Sequence, residues 1–129
     1  MSFLLDTHVL LWLRGDPGRL STETRRRLAD PALRLYVSAA SAWEIAIKQS
    51  LGKLTLPEPA EAWLPRALVE TGLEALPILV EDAAAVRALP WHHRDPFDRL
   101  LVAQAKRLDL TLVTHDARLG AYDVRLLPV

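Results

Sequence analysis

Asp95-Pro96-Phe97-Asp98-Arg99-Leu100-Leu101-Val102-Ala103-Gln104-Ala105-Lys106 reads as a helix with a hard start. Asp95 can cap its N-terminus. Pro96 then takes the first helical position, where a missing N–H costs nothing. Asp98 follows in the first turn, and Leu101, Val102 and Ala105 recur at helical spacing behind it, so the acid lies along an apolar stripe. A carboxylate on a core-facing stripe is costly unless something satisfies it. Directly after the helix come Thr111-Leu112-Val113-Thr114, a short strand pattern, and His115-Asp116. One helix–strand unit thus carries an acid near each end.

The same alternation runs through the rest of the chain. Phe3-Leu4-Leu5 predicts a buried strand that stops at Asp6, and Val9–Leu13 a brief helix ended by Gly15-Asp16-Pro17-Gly18. Ser21 can cap a helix to about Ala29, and Arg34–Val37 predicts a second strand. Ser38 or Ser41 then opens a helix to about Leu51, closed by Gly52. Ala60–Glu70 is amphipathic and ends at Gly72, with Pro65 an awkward interior residue. Leu76–Val80 predicts a third strand, Glu81-Asp82 a short helix ending before Pro90, and Val124–Leu127 a final strand. The strands are uniformly apolar and alternate with helices, which predicts an α/β fold whose parallel sheet is covered on both faces.

That topology places the acids. Ligands of parallel α/β sheets bind outside the carboxyl ends of the strands, where the crossover helices also begin. Asp6 follows strand one, Glu44 lies early in the helix after strand two, Asp98 opens the helix before the Thr111 strand, and Asp116 ends that strand. Four carboxylates converging on one edge repel each other unless a hard divalent cation joins them. Mg²⁺ and Mn²⁺ favour such oxygen ligands, and the set suits metal-assisted phosphodiester hydrolysis.

Each acid also has a plainer reading. Asp6 could end a strand or cap a turn, and Glu44 could pair with Lys48 across one helical turn. Asp98 could be a favourable first-turn acid, and Asp116 a turn or cap residue. Thr7 and Thr114 offer hydroxyls near the edge, while Lys48 and Arg99 could pair with the acids or contact phosphate. His8, His92, His93 and His115 lack a helical metal-binding spacing, and His92-His93 reads first as a surface loop and second as a pair that orients substrate. Trp12, Trp43, Trp63 and Trp91 read as core or interface residues before base-stacking platforms.

The bulk numbers fit one intracellular domain without a membrane span. The chain has 129 residues, half of them hydrophobic, and no cysteine. Sixteen basic and sixteen acidic residues cancel, so any nucleic-acid contact rests on a local patch, with Arg14, Lys48, Arg99 and Arg118 as candidates. No glycine-rich phosphate loop or serine-nucleophile elbow is present.

Leu4-Leu5-Asp6-Thr7-His8, Ser41-Ala42-Trp43-Glu44-Ile45, His93-Arg94-Asp95-Pro96-Phe97-Asp98-Arg99 and Val113-Thr114-His115-Asp116 resemble the ordered motifs of PIN-domain proteins, above all the VapC-type toxins of bacterial toxin–antitoxin pairs. The resemblance implies a PIN-like three-layer α/β/α sandwich with a short parallel sheet, as a single domain over residues 1–129. It implies a cytoplasmic endoribonuclease acting on single-stranded RNA with Mg²⁺ or Mn²⁺, usually a homodimer, held in check by a small VapB-like antitoxin. By position, Asp6, Glu44, Asp98 and Asp116 match the acidic quartet, and Thr114 a frequent active-site hydroxyl. A non-catalytic PIN module that binds RNA or protein is the alternative.

Overall fold

The computed structural model describes residues 1–129. Its five strands are β1 (Ser2–Leu5), β2 (Arg34–Ser38), β3 (Glu74–Leu76), β4 (Thr111–Thr114) and β5 (Leu126–Pro128). They form one parallel sheet in the order β3-β2-β1-β4-β5. The helices are α1 (Thr7–Gly15), α2 (Thr22–Leu28), α3 (Ala39–Ser50), α4 (Ala60–Thr71), α5 (Val80–Ala85) and α6 (Pro96–Leu108).

The apolar strands are explained by burial on both faces. Successive strand residues point to opposite sides, so Phe3 and Leu5 join one core with Val9, Val37, Ile45 and Trp63, while Leu4 joins the other with Leu101, Val102 and Leu112. β1 sits centrally and its residues from Phe3 to Leu5 are essentially inaccessible.

Local chemistry decides where the elements start. Asp6 caps α1 by accepting from the Val9 N–H, so this helix begins two residues earlier than the apolar run alone predicts. Ser38, rather than Ser41, caps α3. Asp95 caps α6, accepting from the Phe97 N–H at 2.8 Å, with Pro96 at the first position as expected. Gly72 closes α4 in the left-handed region, and α4 continues through Pro65 at the loss of one helical hydrogen bond.

Two strand boundaries differ from expectation. The third strand is Glu74–Leu76, not Leu76–Val80: Pro77 cannot donate to the ladder, and Val80 already opens α5. The last strand starts at Leu126 and ends at Pro128, which the sheet edge tolerates.

A buried polar bridge ties α6 to the sheet. The Gln104 side chain, fully buried, accepts from the Ser38 hydroxyl at 2.5 Å and donates to the Pro77 carbonyl at 3.1 Å. It fixes α6 relative to the start of α3, the two helices that carry Asp98 and Glu44.

Leu4→Ala, at the centre of the sheet, is expected to cost about 2–5 kcal/mol in urea denaturation. A loss below ~1 kcal/mol would contradict burial of β1 on both faces.

Candidate active site

Asp6 follows β1, Glu44 lies in the second turn of α3, Asp98 in the first turn of α6, and Asp116 two residues beyond β4. All four stand at the carboxyl edge of the sheet, around its adjacent central strands β2, β1 and β4. Asp6 and Glu44 are buried, and Asp98 and Asp116 half-buried.

Each carboxylate is aimed by different neighbours. One Asp6 oxygen accepts the Val9 N–H at 2.9 Å and the other accepts the Thr114 hydroxyl. Glu44 accepts from the Thr7 hydroxyl at 2.6 Å and from Lys48 at 2.5 Å, so the helical pair with Lys48 forms alongside the contact to the site. Asp116 caps the short 3₁₀ turn Ala117–Ala121 and accepts Arg118 through both oxygens, at 3.0 and 2.8 Å.

The charges are unequally settled. Burial pushes the Asp6 carboxyl above its ordinary range, against the Thr114 and Val9 hydrogen bonds. Burial pushes Asp98 up to about 7, and the negative charges of Asp95, Asp6 and Glu44 push the same way. Asp116 goes the other way: the Arg118 guanidinium holds it well below the usual carboxylate range. Asp6 and Asp98 are therefore the carboxylates with most to gain from a cation. Asp116 already has one.

His93 is the residue that sequence reasoning missed. It is not a surface-loop residue: it is buried and bridges two of the acids. The Asp95 N–H donates to His93 Nδ1 at 3.0 Å, which leaves the proton on Nε2. Nε2 lies 2.9 Å from Asp116 and 3.4 Å from Asp98. The only signal in the sequence was its place just before the Asp95 cap.

Arg99 neither pairs with an acid nor faces solvent. It is 2% exposed, and its guanidinium donates to the carbonyls of Val86, Leu89, Pro90 and His93 and to the Tyr122 hydroxyl. The Trp91 ring covers it at 3.8 Å. Tyr122 in turn accepts the His93 N–H at 3.1 Å and donates to Pro90 at 2.9 Å. Arg99 thus clamps the loop that carries His93. Of the other expected phosphate contacts, Arg14 pairs with Glu70 and Lys48 with Glu44, while Arg118 remains 70% exposed beside Asp116. Trp63 is core, but Trp43 and Trp91 are exposed.

A profile of the PIN domain matches residues 3–125, a span that includes all four acids. The chain belongs to the PIN-domain family. Ribonuclease VapC22 of Mycobacterium tuberculosis (strain ATCC 25618 / H37Rv) is 33% identical over 120 residues, covering 92% of this PIN chain and 90% of that protein. Among solved structures, VapBC2 from Rickettsia felis bound to a DNA fragment from its promoter matches with a TM-score of 0.72 at 16% identity, over 99% of this chain and 98% of that one. DNA-bound VapBC from Salmonella typhimurium matches with a TM-score of 0.68 at 20% identity, again over 99% and 98%. At such identities the two structures speak to the PIN fold, and the five-stranded parallel sheet agrees with it.

Two expectations follow. Arg99→Met should leave several buried carbonyls unsatisfied and cost about 3 kcal/mol in denaturation, where a surface arginine would cost nothing measurable. In EDTA, Asp98 releases its proton near neutrality when folded and near its ordinary value when unfolded. Its ionisation therefore destabilises the fold progressively as pH rises from about 4 to 7. The thermal midpoint of the wild type should fall relative to that of Asp98→Asn across this window, and parallel curves would contradict the strained carboxyl.

Proposed function

We propose that this chain, read as one PIN domain over residues 1–129, is a Mg²⁺-dependent endoribonuclease. On this reading it is the toxin of a toxin–antitoxin pair and hydrolyses phosphodiester bonds in single-stranded regions of RNA. The observation that carries the reading is the convergence of Asp6 and Asp98, both pushed above the usual carboxylate range, with Glu44 beside them at the carboxyl edge of the sheet. The relative VapC22 is named a ribonuclease, and the neighbouring structures are VapBC assemblies.

The residues fit a hard divalent ion. The donors are carboxylate oxygens aimed by Thr114, Thr7 and backbone amides, and no thiolate competes because the chain has no cysteine. Asp6 and Asp98 are the principal ligands, with Mn²⁺ able to substitute. Glu44 and Asp116 would complete or position the shell, since each already holds a cation at one side. When bound, the ion supplies Lewis-acid polarisation of the phosphate and of the attacking water. Thr114 holds Asp6 in place, and His93 bridges Asp98 and Asp116. Arg118 is the exposed cation able to meet a phosphate oxygen.

The same reading makes the working unit a cytoplasmic homodimer covered by a small VapB-like antitoxin. No helix is long and apolar enough to cross a membrane.

Asp6→Asn and Asp98→Asn should each lower Mg²⁺- or Mn²⁺-supported RNA cleavage by ~10²-fold or more and abolish growth arrest. EDTA should have the same effect on the wild type. Full activity in both variants would overturn the site assignment.

A further inference from the structure

Three rings beside Asp6 belong to neither apolar core. His8, the second residue of α1, and His115, just past β4, meet edge to face with centroids 5.2 Å apart. His115 meets Trp12 at 4.8 Å and 61°, and His8 lies 6.0 Å from the same indole. The Arg19 guanidinium lies over Trp12 at 5.1 Å. The cluster adjoins the catalytic edge: His115 Nδ1 is 4.0 Å from an Asp6 oxygen. Both imidazoles are exposed, and Trp12 is only half-buried. His8, Trp12 and Arg19 line a groove of about 1040 Å³ that also takes in Thr7, Lys48 and Lys53.

Exposed aromatic rings beside a cationic groove have a specific use. Unpaired bases stack on Trp and His faces and on Arg planes, and such stacking tolerates any base because every base has a π-face. We propose that His8, His115 and Trp12, with Arg19, form a stacking shelf for the nucleobase next to the phosphate addressed by Asp6 and Asp98. The inference rests on the ribonuclease reading of the acids. It adds a physical reason for single-strand preference: a base within a duplex is stacked on its neighbours and must leave them to reach the shelf.

The competing use of the two imidazoles is metal ligation, since their nitrogens and an Asp6 oxygen lie within 4.8 Å of one another. The two uses separate by substitution. His115→Phe keeps the π-face and loses both nitrogens, whereas His115→Ala loses both features.

The experiment measures binding, by fluorescence anisotropy, of a short single-stranded RNA of mixed sequence and of its abasic counterpart with equal length and charge. The protein is the full chain carrying Asp98→Asn, so that the probe is not cut. The base-bearing probe should bind ~10-fold or more tightly than the abasic one. Adding His115→Ala, or His8→Ala with His115→Ala, should narrow that ratio to ~2-fold or less, and His115→Phe should preserve it. Equal binding of the two probes overturns the shelf. So does a ratio that survives the alanine substitutions, or one that His115→Phe abolishes together with His115→Ala. An unchanged ratio with weakened capture of a small protein partner would make the surface a protein-docking site and likewise overturns the shelf. Cleavage is scored separately with the wild type. Metal-dependent cleavage without a base-dependent ratio overturns the shelf alone, and absence of metal-dependent cleavage overturns the functional reading.

Discussion

Asp98 carries its charge where charge is least welcome. It is half-buried at the end of a sheet covered on both faces, it follows Asp95 by three residues, and it feels Asp6 and Glu44 from two other elements. Like charges in a poorly solvated place separate, protonate or acquire a cation. Separation is prevented by the fold. β1 and β4 are paired partners, α3 leaves β2 beside them, and Gln104 bolts α6 to Ser38 at the start of α3. The cluster is therefore imposed by elements whose positions are set by burying Phe3, Leu4, Leu5 and Leu112, none of which touches the chemistry through its own polarity.

A further layer keeps that edge in order. Arg99 spends its donors on main-chain carbonyls and a tyrosine hydroxyl, all of them neutral. The cost of burying a guanidinium is offset by several hydrogen bonds and by the Trp91 ring. The product of that arrangement is a fixed loop from Pro90 to Asp95, and with it a fixed His93. Because His93 and Arg118 both donate to Asp116, that acid is the most fully satisfied of the four. The quartet is thus graded, with Asp6 and Asp98 at the strained end and Asp116 at the relaxed end.

Zero net charge makes the distribution of cations decisive. Most arginines near the edge are already committed, to Glu70, to Glu58 or to carbonyls. Arg118 pairs with Asp116 yet keeps most of its side chain in solvent, and Arg19 lies over the Trp12 ring. Contact with an RNA strand would then draw on few phosphate pairs and leave stacking on exposed rings a larger share.

Local rules made much of this legible in the amino-acid sequence. The Asp95-Pro96 start of α6, the run lengths of β1, β2 and β4, and the caps at Ser21 and Gly72 follow from periodicity and capping, which depend on neighbours a few residues apart. From those elements alone the parallel sheet followed, and from the sheet the edge at which Asp6, Glu44, Asp98 and Asp116 gather. Boundaries set by a partner strand were less accessible: β3 ends at Leu76, opposite Ser38, because Pro77 has no N–H to carry the ladder further, a pairing far apart along the chain. The fates of Arg99 and His93 could not be read at all. An arginine after an acid and a histidine in a polar loop look solvent-exposed until the Val86–Pro90 carbonyls, Tyr122 and Asp116 are brought around them. The sequence by itself determined which residues could form the sheet and which acids would lie at its carboxyl edge, because those depend on local pattern and chain direction. Only the tertiary structure decided which charges are satisfied and which are left wanting a partner, because that depends on burial and on contacts between segments distant in the chain.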